Sequence, residues 1–233
     1  MFSADKRRLT LSGLAADVNL PRATVRRILH TLESLGYVQS DGRLFSLTPK
    51  VLEFASAYLA SSTIPGVMQP IVERVSAVIH ENCSAAVLHD TDAVFVARAT
   101  PLRIMTVGLE IGYRLPAYRS AVGRVLLAGL ADEEVAARLA RSNLVKVTDH
   151  TIIAKKALRE AIRLTRDQGY SLVDEEAEKG LRSLAVPVRR YNGDVVCAIH
   201  VGVHVERVSI ETMLTTFKPM IIEAAEQAGK MLL

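Results

Sequence analysis

Four carboxylates lie close together in the chain, at Asp174, Glu175, Glu176 and Glu178. Paired carboxylates can act as general acid and base, or they can bind a metal ion. No histidine lies within six residues of this run, so nothing beside it completes a mixed metal site or a catalytic pair. The pattern favours a solvated turn after a strand, and catalysis or metal binding remains the alternative.

The histidines do not form a catalytic or metal site either. Of the six, His200 and His204 are close in sequence, but on a strand they would stand ~13 Å apart at ~3.3 Å per residue. The chain has no Gly-x-Ser-x-Gly motif and no phosphate-binding glycine loop, which would indicate a hydrolase or a nucleotide-binding enzyme. We therefore predict that the protein is not an enzyme and has no cofactor and no metal ion.

Basic residues lie on one face of a predicted helix over residues 21–35, opposite an apolar stripe that includes Val25 and Leu29. A short helix over residues 11–18 and a tight turn precede it, and Asp41-Gly42 predicts a hairpin after it. This order is typical of a winged helix-turn-helix, whose second helix fits the DNA major groove. A solvated basic face is the alternative. The predicted contacts to double-stranded DNA are Arg22, Thr24, Arg26, Arg27 and His30 on the helix and Arg43 on the wing.

Charge and composition support two parts with different partners. Eight Lys and Arg against five Asp and Glu give residues 1–60 a charge of +3, out of +4 for all 233 residues.

A hydrophobic share of 49% indicates a folded protein. The two cysteines, Cys83 and Cys197, are too few and too far apart for a disulfide framework. The sequence contains no membrane-span pattern and no secretory signal, so we expect a cytoplasmic location.

The rest of the chain alternates strand and helix patterns, and an α+β fold is expected. A linker helix is predicted over residues 49–64, and Pro70 should begin the next helix. Predicted strands cover 84–89, 93–99, 103–110, 170–173, 183–189 and 195–203, and predicted helices cover 120–130, 132–139, 155–168 and 209–233. Hairpin turns dominate, so the sheet should be mostly antiparallel. We expect a DNA-binding domain at 1–48, the linker at 49–64 and a second domain at 65–233.

Several motifs together resemble the IclR family of bacterial transcription regulators. They are Leu-Pro-Arg-Ala-Thr-Val-Arg-Arg-Ile-Leu at 20–29, Leu-Gly-Tyr-Val at 35–38, Arg-Leu-Pro-Ala-Tyr at 114–118, Gly-Arg-Val-Leu-Leu-Ala at 123–128 and Gly-Leu-Arg-Ser-Leu-Ala-Val-Pro-Val at 180–188. These motifs follow the family's order over nearly the whole chain. The residues at 103–105, Arg-Ile-Met, and those at 114–118 are most similar to the corresponding residues of family members that control protocatechuate and p-hydroxybenzoate breakdown. In the family a further helix precedes the helix-turn-helix, and we expect that helix to be missing from this sequence.

The resemblance implies that the second domain is GAF-like and binds a small organic acid, here an aromatic one. The implied effector-binding residues are Ile104, Leu115, Tyr118, Arg119, Ala121, Val122, Val173, Asp174, Ser183, His200 and Gly202. It also implies homodimers, or homotetramers built from them, that control a catabolic operon. The alternative is a metabolic enzyme or small-molecule-binding module whose N-terminal part serves assembly.

Overall fold

The computed structural model describes residues 1–3, 6–101 and 110–232. Its backbone contacts divide the chain into two compact units, Met1–Ser61 and Ser62–Leu233. The predicted site residue Ile104 lies outside the described residues, and so does the predicted strand at 103–110 except for its last residue, Glu110.

The N-terminal unit is a winged helix-turn-helix, as predicted. Its elements are β1 (Leu9–Thr10), α1 (Leu11–Asp17), α2 (Arg22–Ser34), β2 (Val38–Ser40), β3 (Leu44–Leu47) and α3 (Leu52–Ser61). Within the described residues the sheet order is β1-β3-β2, with antiparallel pairs. The Thr10 hydroxyl caps α1 by accepting from the Gly13 N–H at 3.1 Å.

The turn between α1 and α2 follows from local backbone preferences. Asn19 is left-handed with φ 52°, a conformation that asparagine tolerates. The Leu20 N–H then donates to the Ala15 carbonyl at 3.1 Å and closes the end of α1. Pro21 is the N-cap of α2 rather than its first residue.

The C-terminal unit contains these elements: α4 (Thr63–Ile79), β4 (Asn82–His89), β5 (Asp92–Ala99), β6 (Arg114–Pro116), α5 (Ala121–Ala128), α6 (Asp132–Arg141), α7 (Lys155–Gln168), β7 (Ser171–Asp174), β8 (Leu181–Arg189), β9 (Val195–His204), α8 (Ile210–Thr212) and α9 (Lys218–Met231). Among the described residues, six strands form one antiparallel sheet in the order β6-β5-β4-β9-β8-β7. The predicted α+β class is confirmed. No helix in the described ranges is long and apolar enough to cross a membrane.

Predicted helix bounds were wrong in three places, each near a proline. In place of the single linker helix predicted over residues 49–64, a 3-10 turn at Pro49–Val51 is followed by α3, and α4 already begins at Thr63. Pro70 lies inside α4 rather than at its start, so the helix tolerates the loss of one backbone N–H donor. The predicted continuous helix at 209–233 is α8, a π-helical turn at Met213–Phe217 and α9. Pro219 lies in the first turn of α9 and cannot donate to the preceding turn, which favours this irregular junction.

Helices pack on both faces of the sheet. On one face, α4 and α9 pack over alternate strand residues that include Cys83, Ala85 and Ile199. On the other face, α5 packs against Ala86, Phe95 and Ala198. Helices α6 and α7 form a further cluster beyond α5. The part of this second face that α5 leaves uncovered carries the polar residues described below.

Close packing at Gly123 of α5 leads to a stability prediction. A Cβ at Gly123 would overlap the backbone of Ala117, whereas one at Gly66 of α4 would meet nothing within 4 Å. Gly123→Ala should therefore lower the free energy of unfolding by about 1 to 3 kcal/mol. Gly66→Ala, the matched control, should raise it by about 0.5 to 1 kcal/mol. Denaturant titration of both variants measures this, and equal effects would contradict the packing argument.

Candidate nucleic-acid interface and ligand cavity

Helix α2 presents its basic side chains outward. Val25 and Leu29 are buried in the core of the N-terminal unit, while Arg22, Arg26, Arg27 and His30 are exposed and Thr24 is half-buried. Arg22, Arg26 and His30 follow one another at four-residue spacing and form a single row. Within the described residues, no ion pair involves an arginine of α2, so these cations are available for phosphates or base edges.

The β2–β3 turn places Arg43 at an exposed tip. The Asp41 carboxylate accepts from the N–H groups of Arg43 at 3.0 Å and Leu44 at 2.8 Å. These two backbone bonds, the Leu44 bond first, lower the pKa of Asp41 below its usual value. Gly42 supplies the left-handed residue of the turn with φ 93°. The turn is therefore fixed by its own residues, and all six predicted DNA-contacting positions lie on α2 or this wing.

A cavity of about 520 Å³ lies over the uncovered part of the sheet in the C-terminal unit. Strands β4, β8 and β9 form its floor, with Ser84, Ser183 and His200 facing it. Arg98 of β5 and Arg119, just before α5, also line it. Another wall is the segment between β7 and β8, from which Ala177, Glu178, Lys179 and Gly180 line the cavity.

Polar atoms without partners collect in this lining. Among the described residues, four buried lining atoms have no hydrogen-bond partner: Asn82 Oδ1, Arg98 Nη1, Arg119 Nε and His200 Nδ1. Buried polar groups are normally hydrogen-bonded, and each exception needs an explanation. Two guanidinium groups with free donors suit an anion, and a carboxylate in particular. In the described parts of the chain, no group of three or more metal-ligating side chains occurs.

His200 is a neutral group in this lining. Burial, and then the positive charge of Arg98, lowers its pKa to about 4. Its ring stands edge-on to Phe95, with centroids 5.7 Å apart. Gly202 makes room for it, because a Cβ there would lie 3.1 Å from His200 Cε1. A neutral imidazole can accept a hydrogen bond at one nitrogen and donate one from the other.

The lowered pKa of His200 predicts a pH-dependent stability. As pH falls below 6.5, the unfolded chain takes up a proton at this position while the folded chain stays neutral down to pH 4. The folded state should therefore lose about 2 kcal/mol between pH 8 and pH 5 through this residue, and the loss should level off once pH falls below the folded-state pKa of about 4. Urea titrations of wild type and His200→Gln at both pH values isolate this share. Equal pH dependence in the two proteins would contradict the assignment.

The predicted effector-binding residues divide into two groups. Leu115, Arg119, Ser183, His200 and Gly202 line the cavity, whereas Tyr118, Ala121, Val122, Val173 and Asp174 do not. The Tyr118 hydroxyl is bonded to the backbone of Val145, and Asp174 is bonded to Arg182. Ala121, Val122 and Val173 belong to the apolar core.

Two aspects of the site were not evident in the sequence. Asn82, Ser84 and Arg98 line the cavity, and the available signal was their polar character within otherwise apolar strands. The interpretation of residues 174–178 as a solvated turn was wrong for Glu176, which is 7% exposed. It forms a buried ion pair with Arg124, a partner 52 residues away that no local pattern indicates.

Comparison with known proteins identifies the family. The IclR helix-turn-helix domain matches residues 1–42, and the bacterial transcriptional regulator IclR C-terminal domain matches residues 56–229. The chain is 41% identical to the Pca regulon regulatory protein of Pseudomonas putida, over 96% of this chain and 77% of that protein. Both family domains and this relative are transcriptional regulators, so the prediction that the chain is not an enzyme is confirmed and the enzyme alternative is wrong.

Solved structures agree with this assignment. A Rhodococcus sp. RHA1 protein proposed to be a transcriptional regulator is 42% identical, with a TM-score of 0.83, over 99% of this chain and 93% of that one. The inducer-binding domain of the PobR transcription factor from Acinetobacter, a double mutant in complex with 3-hydroxybenzoic acid, is 26% identical with a TM-score of 0.69. The match covers 73% of this chain and 99% of that domain. This chain belongs to the IclR family of DNA-binding transcriptional regulators.

Proposed function

We propose that this cytoplasmic regulator senses a small aromatic carboxylate, a hydroxybenzoate, and controls a catabolic operon. The observation that carries the proposal is the cavity in which the free donors of Arg98 and Arg119 accompany the neutral imidazole of His200. The Pca regulon relative and the hydroxybenzoate-bound PobR domain support an aromatic acid.

The ligand's carboxylate pairs with Arg98 and Arg119, because charge-assisted bonds to guanidinium are the strongest available in this lining. The ligand's hydroxyl bonds to His200 and Ser183, and Leu115 contacts the ring. A volume of about 520 Å³ lies within the usual range for small-molecule sites, roughly 300 to 1,000 Å³. Of the other predicted site residues, Tyr118, Ala121, Val122, Val173 and Asp174 act behind the lining rather than at the ligand.

On DNA, Arg22, Thr24, Arg26, Arg27 and His30 of α2 contact the major groove and its phosphates, and Arg43 contacts the flanking backbone or minor groove. A homodimer would present two such surfaces to half-sites about one helical turn apart, and two dimers would form a homotetramer. The linker at 49–64 joins the DNA-binding part to the sensor. Regulation requires that the ligand bind two conformations of the protein unequally.

The test is a thermal melt of the full chain with protocatechuate, p-hydroxybenzoate, 3-hydroxybenzoate, glyoxylate and pyruvate. The chain contains no tryptophan, so circular dichroism or a dye reports unfolding. A ligand at 100 times its dissociation constant adds about 2.7 kcal/mol. We expect stabilisation by a hydroxybenzoate, but not by p-hydroxybenzamide, which has the same ring and hydroxyl without the carboxylate. Equal effects of acid and amide, or no effect of any aromatic acid, would refute the proposal.

A further inference from the structure

The segment between β7 and β8, residues 175–180, forms a wall of the cavity and is closed by its own hydrogen bonds. We call it the 175–180 loop. The Glu175 N–H donates to the Leu181 carbonyl at 2.8 Å, and the Gly180 N–H donates to Glu175 Oε2 at 2.9 Å. Glu175 is left-handed with φ 55°, which is uncommon for a residue with a side chain. The surroundings must hold the loop in this conformation.

Glu176 anchors the loop through buried contacts that are not part of the cavity lining. Its carboxylate accepts from Arg124 Nη1 at 2.7 Å and from Arg124 Nη2 at 2.6 Å, a bidentate pair. It also accepts from the Ile152 N–H at 3.0 Å. Glu176 is not part of the cavity lining, although its neighbour Ala177 is.

Arg124 connects this loop to a second wall. It is 4% exposed, and its Nε donates to the Tyr118 carbonyl at 3.0 Å. Tyr118 directly precedes Arg119, whose Nε is one of the free donors of the cavity. The buried Arg124 guanidinium thus links Tyr118, which precedes Arg119, to Glu176, which precedes Ala177. The Arg124 side chain does not line the cavity.

Two threonines attach the same loop to the 145–152 segment. The Thr148 hydroxyl donates to the Glu175 carbonyl at 2.6 Å, and the Thr151 hydroxyl donates to the Glu176 carbonyl at 2.7 Å. The Tyr118 hydroxyl bonds to Val145 at the start of the segment. These bonds join the same two walls that Arg124 and Glu176 connect.

We propose that Arg124 and Glu176 are positioning residues for the ligand site: their ion pair sets the separation between Arg119 and the 175–180 loop. The expected effect on ligand affinity rests on the proposed function, whereas the expected effect on hydrogen exchange in the 175–180 loop does not. A buried ion pair adds little net stability compared with apolar residues of similar volume, because both charges must be desolvated. We expect the ion pair to act by fixing the positions of the residues around the site, because a binding site loses affinity when its supporting contacts do not hold it in place.

The test uses the full chain with the double substitution Arg124→Met/Glu176→Leu, which leaves no buried charge without its partner. Arg124→Lys is the conservative second variant, because it keeps the charge but not the planar set of donors. The matched control is Glu160→Leu/Arg163→Met, which removes an exposed Arg–Glu pair on α7; Arg163 also pairs there with Asp167 at 3.0 Å. Hydrogen exchange of the Glu175, Gly180 and Leu181 amides is measured without ligand. Calorimetry then measures p-hydroxybenzoate affinity in the wild-type and Arg119→Met backgrounds.

We expect the buried double variant to lose protection at the loop amides while the β8–β9 amides stay protected. Its dissociation constant should rise about tenfold, since members of one network couple by factors of roughly 5 to 150. In the Arg119→Met background the further loss should be less than about twofold, because the positioned group is gone. Arg124→Lys should give a smaller rise, and the surface control none.

Unchanged loop protection in both Arg124 variants would overturn the inference, whatever happens to ligand affinity. Lost protection with unchanged affinity, or a full additional loss in the Arg119→Met background, would also overturn it. Absence of binding by the wild type would instead count against the proposed ligand class. The exchange measurement would then still decide whether the ion pair holds the loop.

Discussion

Arg119→Met should weaken p-hydroxybenzoate binding by about two to three orders of magnitude and leave the ligand-free protein at least as stable as wild type. The affinity loss follows because removing one partner of a buried, charge-assisted contact costs about 2 to 5 kcal/mol. The stability is retained because, among the residues that the structure describes, the buried Arg119 Nε has no hydrogen-bond partner, and such a group opposes folding. Calorimetry measures the affinity, and denaturant titration measures the stability.

The matched control for this variant is Arg190→Met. The Nε of Arg190 is also buried without a partner within the described residues, but Arg190 lies outside the ligand cavity. Its substitution should leave ligand affinity unchanged. If both variants bind p-hydroxybenzoate like the wild type, or if both lose affinity equally, Arg119 does not hold the carboxylate.

Arg22→Ala combined with Arg26→Ala should weaken DNA binding by at least about two orders of magnitude. Each contact to a base or phosphate is worth about 1 to 3 kcal/mol, and the two side chains are one helical turn apart on the exposed face of α2. Loss of phosphate contacts should also make the salt dependence less steep, by about one unit of slope for each contact. Fluorescence anisotropy over a salt series, with the intergenic DNA beside the gene and a random-sequence duplex, measures both effects.

The control for DNA binding is Arg159→Ala/Arg163→Ala on α7, which removes the same charge from exposed positions in the other unit. It should leave DNA affinity and salt slope near wild type. Equal losses in the two double variants would show that overall charge, rather than α2, determines affinity. Wild-type affinity in the α2 variant would favour the alternative in which the N-terminal part serves assembly.

The sequence by itself determined the elements whose causes are local. Helix α7 has the predicted bounds, Lys155–Gln168, because its apolar stripe and the following Gly169 are signals within one stretch of chain. The order of helix, turn, basic helix and hairpin was likewise predictable, since Thr10, Asn19 and Asp41 act on neighbouring backbone groups. Exposure of the basic face of α2 followed directly from burial of its apolar face.

Only the tertiary structure decided which side chains meet. Three different elements supply the polar residues of the cavity: β5 carries Arg98, the turn before α5 carries Arg119, and β9 carries His200. Whether they share a cavity depends on the strand order and on how far α5 extends over the sheet. The burial of Glu176 depends on Arg124 across a long sequence separation, so the local run of carboxylates suggested the wrong environment. Local signals act over a few residues through backbone geometry, whereas a buried charge or a ligand contact depends on partners that only the folded chain brings together.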